Sequence, residues 1–205
     1  MGTTVSELFH HIDIYNFKKV KWGTKFNEKG QGVYVISTSN NPEEQLGLTK
    51  TPIFDDSQID FWIDRLPAFT IDNIPVSANT LRNRLTDFWF ANQNILYIGK
   101  APNRSHKIKT GISTRLDEYF KTTIGNKSPH RGGQWLKVLK NIDSLTVYYG
   151  LCESPGKVEE NMLEFFMKNV SAEGSSKFYD KTLPIPFANI KFKRDKKHNL
   201  KRQTR

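Results

Sequence analysis

The sequence predicts an α+β fold with a small, mostly antiparallel sheet flanked by helices. Two segments, 32–37 (GVYVIS) and 95–99 (ILYIG), are rich in β-branched and aromatic residues, as strands are. A third strand is predicted only after two helices, at 145–151, and another helix follows it. Two strands with a distant third strand, interleaved with helices, favour a small antiparallel sheet between helical layers.

A long segment separates the first two strands. Its last part predicts a helix over about 77–90, because Leu81, Leu85 and Phe88 or Trp89 would share one face. Prolines punctuate the segment at Pro42, Pro52, Pro67 and Pro75.

The end of the second strand is unusual for an apolar strand. Tyr97, Gly99 and Lys100 pack such a strand poorly. Gly99 either turns the chain at a hairpin edge or lets backbone or ligand come close while Tyr97 and Lys100 are displayed at a site.

The second half of the chain predicts three helices and the third strand. Ser113 would cap a helix over 113–124, whose apolar residues Leu116, Phe120 and Ile124 recur at four-residue steps. Another helix is predicted after the glycine pair at 132–133, with Trp135, Leu136 and Leu139 inward.

The third strand, 145–151 (LTVYYGL), alternates as a half-buried strand, with Leu145, Val147, Tyr149 and Leu151 on one face. The last helix is predicted to begin after Pro155 and Gly156 and to end near Val170. An extended stretch at 183–190 follows.

Composition predicts a globular protein of the cytoplasm. The chain has 205 residues, of which 37% are apolar and 25% charged, so it can bury a sizeable core. Its start lacks the form of a secretory signal, and it has no run of eighteen apolar residues, so no membrane partner is expected. A single cysteine, Cys152, excludes an internal disulfide and a multi-cysteine zinc site.

The charge is unevenly distributed and favours a nucleic acid partner. Residues 191–205 hold eight Lys/Arg and one Asp, or +7 of the +10 total. Residues 37–94 hold eight Asp/Glu against four Lys/Arg. Basic regions around an acidic segment fit a polyanion; the alternative is a solvated tail. We therefore expect one domain over 1–190 and a flexible basic tail over 191–205.

Five short features occur in the order of a known family. They are GVY at Gly32–Val33–Tyr34, YIG at Tyr97–Ile98–Gly99, Arg115 on the next helix, a glutamate on a later helix, and Asn189 near the end. As a set they resemble the GIY-YIG nuclease family over roughly 32–36 and 95–190. Each residue alone has an ordinary structural explanation.

The resemblance implies a site. Tyr34 would lie beside the attacking water, and Tyr97, Lys100, Arg115, Tyr119 and Asn189 would complete the catalytic set. The family places a metal-binding glutamate on the late helix, where the chain offers Glu159 and Glu160. Positions three, four and seven after Glu159 are all apolar, whereas the same spacing from Glu160 would bury Glu164, so we choose Glu159. One carboxylate with waters and phosphate suits Mg²⁺ or Mn²⁺.

The resemblance also implies the kind of nuclease. The chain looks like the compact GIY-YIG restriction enzymes, which insert recognition elements into the core and act as dimers. We therefore expect a metal-dependent DNA endonuclease of a restriction, defence or repair system, with a homodimer as candidate assembly. The insertion would be 38–94, a departure from the family's short connection, with Arg82 and Arg84 reading bases.

His130 and Arg131, in the turn HRGGQW, would contact phosphate; the alternative is an ordinary helix-start turn. Two other functions stay open. One is a non-catalytic nucleic-acid-binding module that keeps the fold. The other is an interaction protein that docks through the acidic insertion and binds no metal.

Overall fold

The computed structural model describes residues 2–45, 51–66, 68–103, 111–126, 133–170, 182–193, 195–196 and 200–202. The fold is α+β, with a small antiparallel sheet and several helices, as the sequence predicts. Among the described residues, no helix combines the length and the apolar character needed to cross a bilayer.

The central sheet has four strands in the order β1, β6, β2, β5, and each neighbouring pair is antiparallel. Its strands are β1 (Lys18–Lys21), β2 (Gly32–Ser37), β5 (Ile95–Ala101) and β6 (Thr146–Leu151). The predicted strands at 32–37 and 95–99 are confirmed as β2 and β5. They pair directly although 57 residues lie between them, so the long segment leaves the sheet and returns.

Helices cover both faces of this sheet. On one face, α1 (Val5–His10) and α6 (Pro155–Asn169) pack against the side chains of Val33, Val35 and Ile98. On the other face, Tyr34 and Ile36 pack into a second cluster with α4 (Ile112–Lys121) and α5 (Gln134–Lys137). The alternation of side chains along β2 therefore feeds two separate cores.

The segment between β2 and β5 adds to the core that holds α4 and α5. It contains α2 (Asp56–Asp64), the hairpin β3 (Phe69–Ile71) and β4 (Ile74–Pro75), and α3 (Ala78–Thr86). Asp55 caps α2, and Ser77 caps α3 through a reciprocal capping box with Thr80. The helix predicted over 77–90 therefore exists but ends at Thr86.

Three local predictions need correction. Gly111, not Ser113, occupies the N-cap of α4; its φ is 98°, and the Ser113 hydroxyl instead donates to the Glu28 carbonyl oxygen at 2.8 Å. Strand β6 is buried on both faces because Val147 and Tyr149 pack into one core and Tyr148 into the other, and it is Leu151 that is exposed. The helix after the glycine pair is only the four residues of α5.

The described part of the basic tail contains two short strand pairings. The hairpin β7 (Lys191–Phe192) and β8 (Asp195–Lys196) begins it. Strand β9 (Leu200–Arg202) then pairs antiparallel with β3 of the acidic segment. Backbone pairing thus holds the most basic part of the chain beside the most acidic part.

Candidate active site

Three of the predicted tyrosines meet on one face of the central sheet. Tyr34 comes from β2, Tyr97 from β5 and Tyr119 from α4. The ring centroids of Tyr34 and Tyr97 are 5.8 Å apart, those of Tyr97 and Tyr119 are 5.6 Å apart, and those of Tyr34 and Tyr119 are 6.5 Å apart. Residues 85 positions apart in the chain therefore form one cluster of phenols.

Two glycines make room for these rings. Gly99 pairs with Tyr34 across the β2–β5 ladder, and a β-carbon on Gly99 would lie 2.6 Å from Cζ of Tyr34. A β-carbon on Gly133 would overlap the ring of Tyr119. Gly99, which interrupts the apolar strand, thus lets the Tyr34 ring approach the backbone of β5 closely.

The Tyr34 hydroxyl is buried. Its oxygen makes no hydrogen bond of ordinary geometry within the part of the chain that the structure describes, but the Tyr97 hydroxyl is near enough for a loose hydrogen bond, which raises the pKa of Tyr34 and lowers that of Tyr97. Buried hydroxyls are ordinarily paired, because an unpaired one forgoes its hydrogen bonds to water. A poorly satisfied hydroxyl of this kind could form a better hydrogen bond with a bound substrate or water.

Burial keeps all three phenols neutral. It raises the pKa of Tyr34 and that of Tyr119 well above their ordinary value, and it raises the pKa of Tyr97 to about 12. Arg115 lowers each of these pKa values but does not reverse the effect of burial. Arg115 alone therefore does not bring the Tyr34 hydroxyl to the phenolate form.

Arg115 projects from α4 toward the tyrosine cluster. One of its terminal nitrogens lies 3.5 Å from a carboxylate oxygen of Glu118, one helical turn away. Its Nε is buried and has no hydrogen-bond partner among the described residues. A guanidinium with an unused N–H beside this phenol can donate a hydrogen bond to a phosphate oxygen.

Glu159 reaches the same region from α6. Its carboxylate interacts electrostatically with the phenols of Tyr34 and Tyr97, whereas the side chain of Glu160 is exposed. The helical register that favoured Glu159 over Glu160 therefore agrees with the direction that α6 gives these side chains. Burial raises the pKa of Glu159, and the ion pair described next works against that rise.

Lys100 is the partner of Glu159. Its Nζ lies 2.7 Å from Oε2 of Glu159. In the β2–β5 ladder Lys100 pairs with Val33, which packs toward α6, whereas Tyr34 faces the other core. Since residues opposite each other share a face of the sheet, Lys100 faces the helix and not the Tyr34 ring.

Asn189 has a structural task at the edge of the sheet. Its amide nitrogen donates to the Ile98 carbonyl oxygen at 2.8 Å, and its amide oxygen accepts from the Ile98 backbone nitrogen at 2.9 Å. Both ends of the side chain are thus committed to β5. Asn189 holds the strand that carries Tyr97 and Lys100 and is itself turned to the backbone.

The predicted base-reading arginines are engaged within the acidic segment. Arg82 donates from Nε and a terminal nitrogen to Asp56, at 3.0 and 2.8 Å, and Arg84 forms a close ion pair with Asp72. Arg84 is also buried, so it presents little surface to a partner. His130 and Arg131 lie outside the described residues.

The donor set limits how a metal ion could bind. Within the described ranges, no group of three or more His, Cys, Asp or Glu side chains could hold a metal. Glu159 is a lone carboxylate, and Mg²⁺ commonly binds through one or two carboxylates together with waters and substrate phosphates. The residues therefore fit an ion that arrives with a phosphate, held by Glu159, and not a preformed cage.

Two contacts of the site were not predicted from the sequence. Trp22 packs edge-on against Tyr119, with ring centroids 5.3 Å apart, and no local pattern connects these two residues. Glu118 carried a usable signal, since its spacing of three from Arg115 on a helix predicts an ion pair.

Comparisons of this chain with protein-family models, with curated proteins and with solved structures return no match.

Proposed function

We propose that this chain is a metal-dependent endonuclease of the GIY-YIG type that hydrolyses phosphodiester bonds in DNA. The observation that carries the proposal is the cluster of Tyr34, Tyr97 and Arg115, with the Glu159 carboxylate of α6 near enough to act electrostatically on both phenols. The buried Nε of Arg115 has no hydrogen-bond partner in the described chain, and the buried Tyr34 hydroxyl makes no hydrogen bond of ordinary geometry there. Such atoms support a site that is completed by a substrate.

Each residue has a distinct task in this proposal. Arg115 binds the scissile phosphate through its planar guanidinium. Tyr34, kept neutral by burial, accepts a hydrogen bond from the attacking water and aligns it. Glu159 holds the divalent cation, which supplies Lewis-acid assistance when bound. Tyr97 and Tyr119 position the Tyr34 ring, and Asn189 fixes the strand beneath them.

The charge of the chain supports DNA as the partner. The net charge is +10, and the cations are concentrated in the tail. Residues 38–94 would act as the recognition insertion of a restriction-type enzyme. In that role Arg82 would have to leave Asp56, an exchange that is inexpensive because Asp56 is largely exposed.

The test is incubation with plasmid DNA and Mg²⁺, with and without a chelator. Chelator-sensitive nicking or linearisation supports the nuclease. Mn²⁺ serves as a second cation in the same assay. Absence of cleavage with both ions and several DNA substrates contradicts the proposal.

A second candidate is a non-catalytic nucleic-acid-binding module with the same fold. It is favoured by one specific observation, the occupation of the metal-binding carboxylate by Lys100. This candidate predicts DNA binding with no cleavage and no effect of a divalent cation on the affinity, so the same assay separates the two.

A further inference from the structure

The ion pair between Lys100 and Glu159 occupies the carboxylate that a metal ion would need. Lys100 Nζ is 2.7 Å from Oε2 of Glu159. The exposed fraction of the side chain is 41% for Lys100 but only 16% for Glu159. The Lys100 side chain can therefore leave Glu159 and move toward solvent, whereas the less exposed Glu159 side chain remains in the site.

The surroundings of the ammonium argue against a role in activating Tyr34. Lys100 lies against the first turn of α6, where a β-carbon on Gly156 would be 3.9 Å from its Nζ. The charged groups that influence the Tyr34 hydroxyl are Arg115 and Glu159, together with the Tyr97 phenol. The partner of Lys100 is thus the carboxylate, with Lys191 as a second cation near the same group.

The ammonium and a divalent cation compete for this carboxylate. Two cations within contact distance of one oxygen repel each other, and the repulsion is strong where water is largely excluded. A phosphate that enters the site offers the ammonium another anion. Lysine suits such an exchange, because its charge is compact and its stem flexible.

Resting on the proposed nuclease function, we propose that Lys100 is a positioning residue that changes partner when DNA binds. In the free protein it neutralises Glu159 and holds the carboxylate in place. When a DNA phosphate enters, the ammonium transfers to a phosphate oxygen and leaves Glu159 for the metal. The free protein therefore binds divalent cations poorly, and DNA and metal bind cooperatively.

The first experiment measures cation binding without DNA and needs no activity. Tb³⁺ is a hard, oxygen-seeking ion whose emission is sensitised by nearby phenols, so the tyrosine cluster reports it. Lys100→Met removes the charge and keeps the apolar stem. Since a neighbouring opposite charge changes the proton affinity of a carboxylate by one to three powers of ten, we expect this variant to bind Tb³⁺ about tenfold more tightly than the wild type.

The chain offers a matched control on the same helix. Lys193 Nζ lies 2.8 Å from Oε1 of Glu164, an exposed ion pair on α6. Lys193→Met should leave the sensitised emission unchanged, and Lys100→Met combined with Glu159→Gln should lose the gain in affinity. A thermal melt of each variant confirms that the fold is kept.

The outcomes separate this inference from the proposed function. If Glu159→Gln weakens Tb³⁺ binding but Lys100→Met does not strengthen it, the exchange is wrong and the metal site stands. If Glu159→Gln has no effect on Tb³⁺ binding in the Lys100→Met background, Glu159 is not the metal ligand, and both fail.

The second experiment tests the interaction of Lys100 with phosphate. DNA affinity is measured across a salt series in Ca²⁺, with a short duplex as the probe. Lys100→Met should reduce the slope of log affinity against log salt by about one unit, as expected when one phosphate is no longer neutralised. An unchanged slope overturns the transfer of Lys100 to phosphate.

Discussion

Tyr34 and Gly99 stand opposite each other in the β2–β5 ladder, and the missing side chain of the glycine is filled by the tyrosine. A β-carbon on Gly99 would lie 2.6 Å from Cζ and 2.7 Å from the hydroxyl oxygen of Tyr34. The packing of the phenol cluster thus requires that residue 99 has no β-carbon.

Gly99→Ala should therefore displace Tyr34 and destabilise the fold by about 1–3 kcal/mol, the usual cost of overpacking a core. Denaturant unfolding measures this change. Gly30→Ala is a suitable control, because a β-carbon there would meet only the exposed side chain of Leu151, which can move. Equal stability of the two variants would contradict the proposed fit.

Tyr34→Phe should separate stability from activity. The buried Tyr34 hydroxyl makes no hydrogen bond of ordinary geometry in the described chain, and a buried polar group left unsatisfied costs about 1–3 kcal/mol. Its removal should leave the melting temperature unchanged or raise it, while cleavage falls sharply. Tyr148→Phe is the contrast, since the Tyr148 hydroxyl donates to the Ser39 carbonyl oxygen at 3.1 Å and its loss should destabilise the protein.

Alkaline titration should show buried phenols. Burial raises the pKa of Tyr97 to about 12 and raises that of Tyr34 and Tyr119 well above their ordinary value, whereas unfolded tyrosines lose their proton near pH ~10. Above that pH the unfolded chain binds fewer protons, so stability should be full below about pH 10 and fall as the pH rises through about 12. Phenolate absorbance with and without denaturant checks the window.

Glu159→Gln should remove cleavage while keeping DNA binding. The change removes the charge that would hold the cation, and metal assistance contributes several kcal/mol, where each 1.36 kcal/mol is about tenfold in rate. Glu160→Gln serves as the internal control, because that side chain is exposed. If only the Glu160 variant loses activity, the assignment of the metal ligand to Glu159 is wrong.

Deletion of residues 197–205 should weaken DNA binding and flatten its salt dependence. The deletion removes four Lys/Arg, and the slope falls by about 0.9 for each phosphate that is no longer neutralised. It also removes β9, which pairs with β3, so exposure of the β3 edge should accompany the change. A salt slope equal to that of the full chain would show that these cations do not touch DNA.

The sequence was informative wherever local pattern and burial agree. The strands at 32–37 and 95–99 are apolar enough to be central, and the direction of Glu159 followed from the apolar positions three, four and seven residues on. The edge strand β1, with its lysines, carried no such signal, because its polar surface resembles a loop.

Other features depend on tertiary contacts that no local pattern encodes. The pairing of β9 with β3 joins residues about 130 positions apart through the backbone. The commitment of Arg84 to Asp72 depends on the turn between β3 and β4, where Asp72 adopts a φ of 54°. The pKa of Tyr34 likewise follows from burial by several elements and not from its neighbours in the chain.

The two hydrogen bonds between the Asn189 side chain and the Ile98 backbone cover the edge of the sheet at β5, and they therefore also bear on self-association. An edge strand with free backbone groups is a template for another chain, and proteins block such edges with charges or coverings. At β5 one amide side chain imitates the missing neighbour, and the Ala188 backbone nitrogen donates to the Leu96 carbonyl oxygen beside it. At the opposite edge, β1 carries exposed Lys18, Lys19 and Lys21. A second copy of the chain therefore cannot add a strand at β5 without displacing Asn189. At β1 its own lysines would meet those of the first copy. Both edges of the sheet thus resist edge-to-edge aggregation.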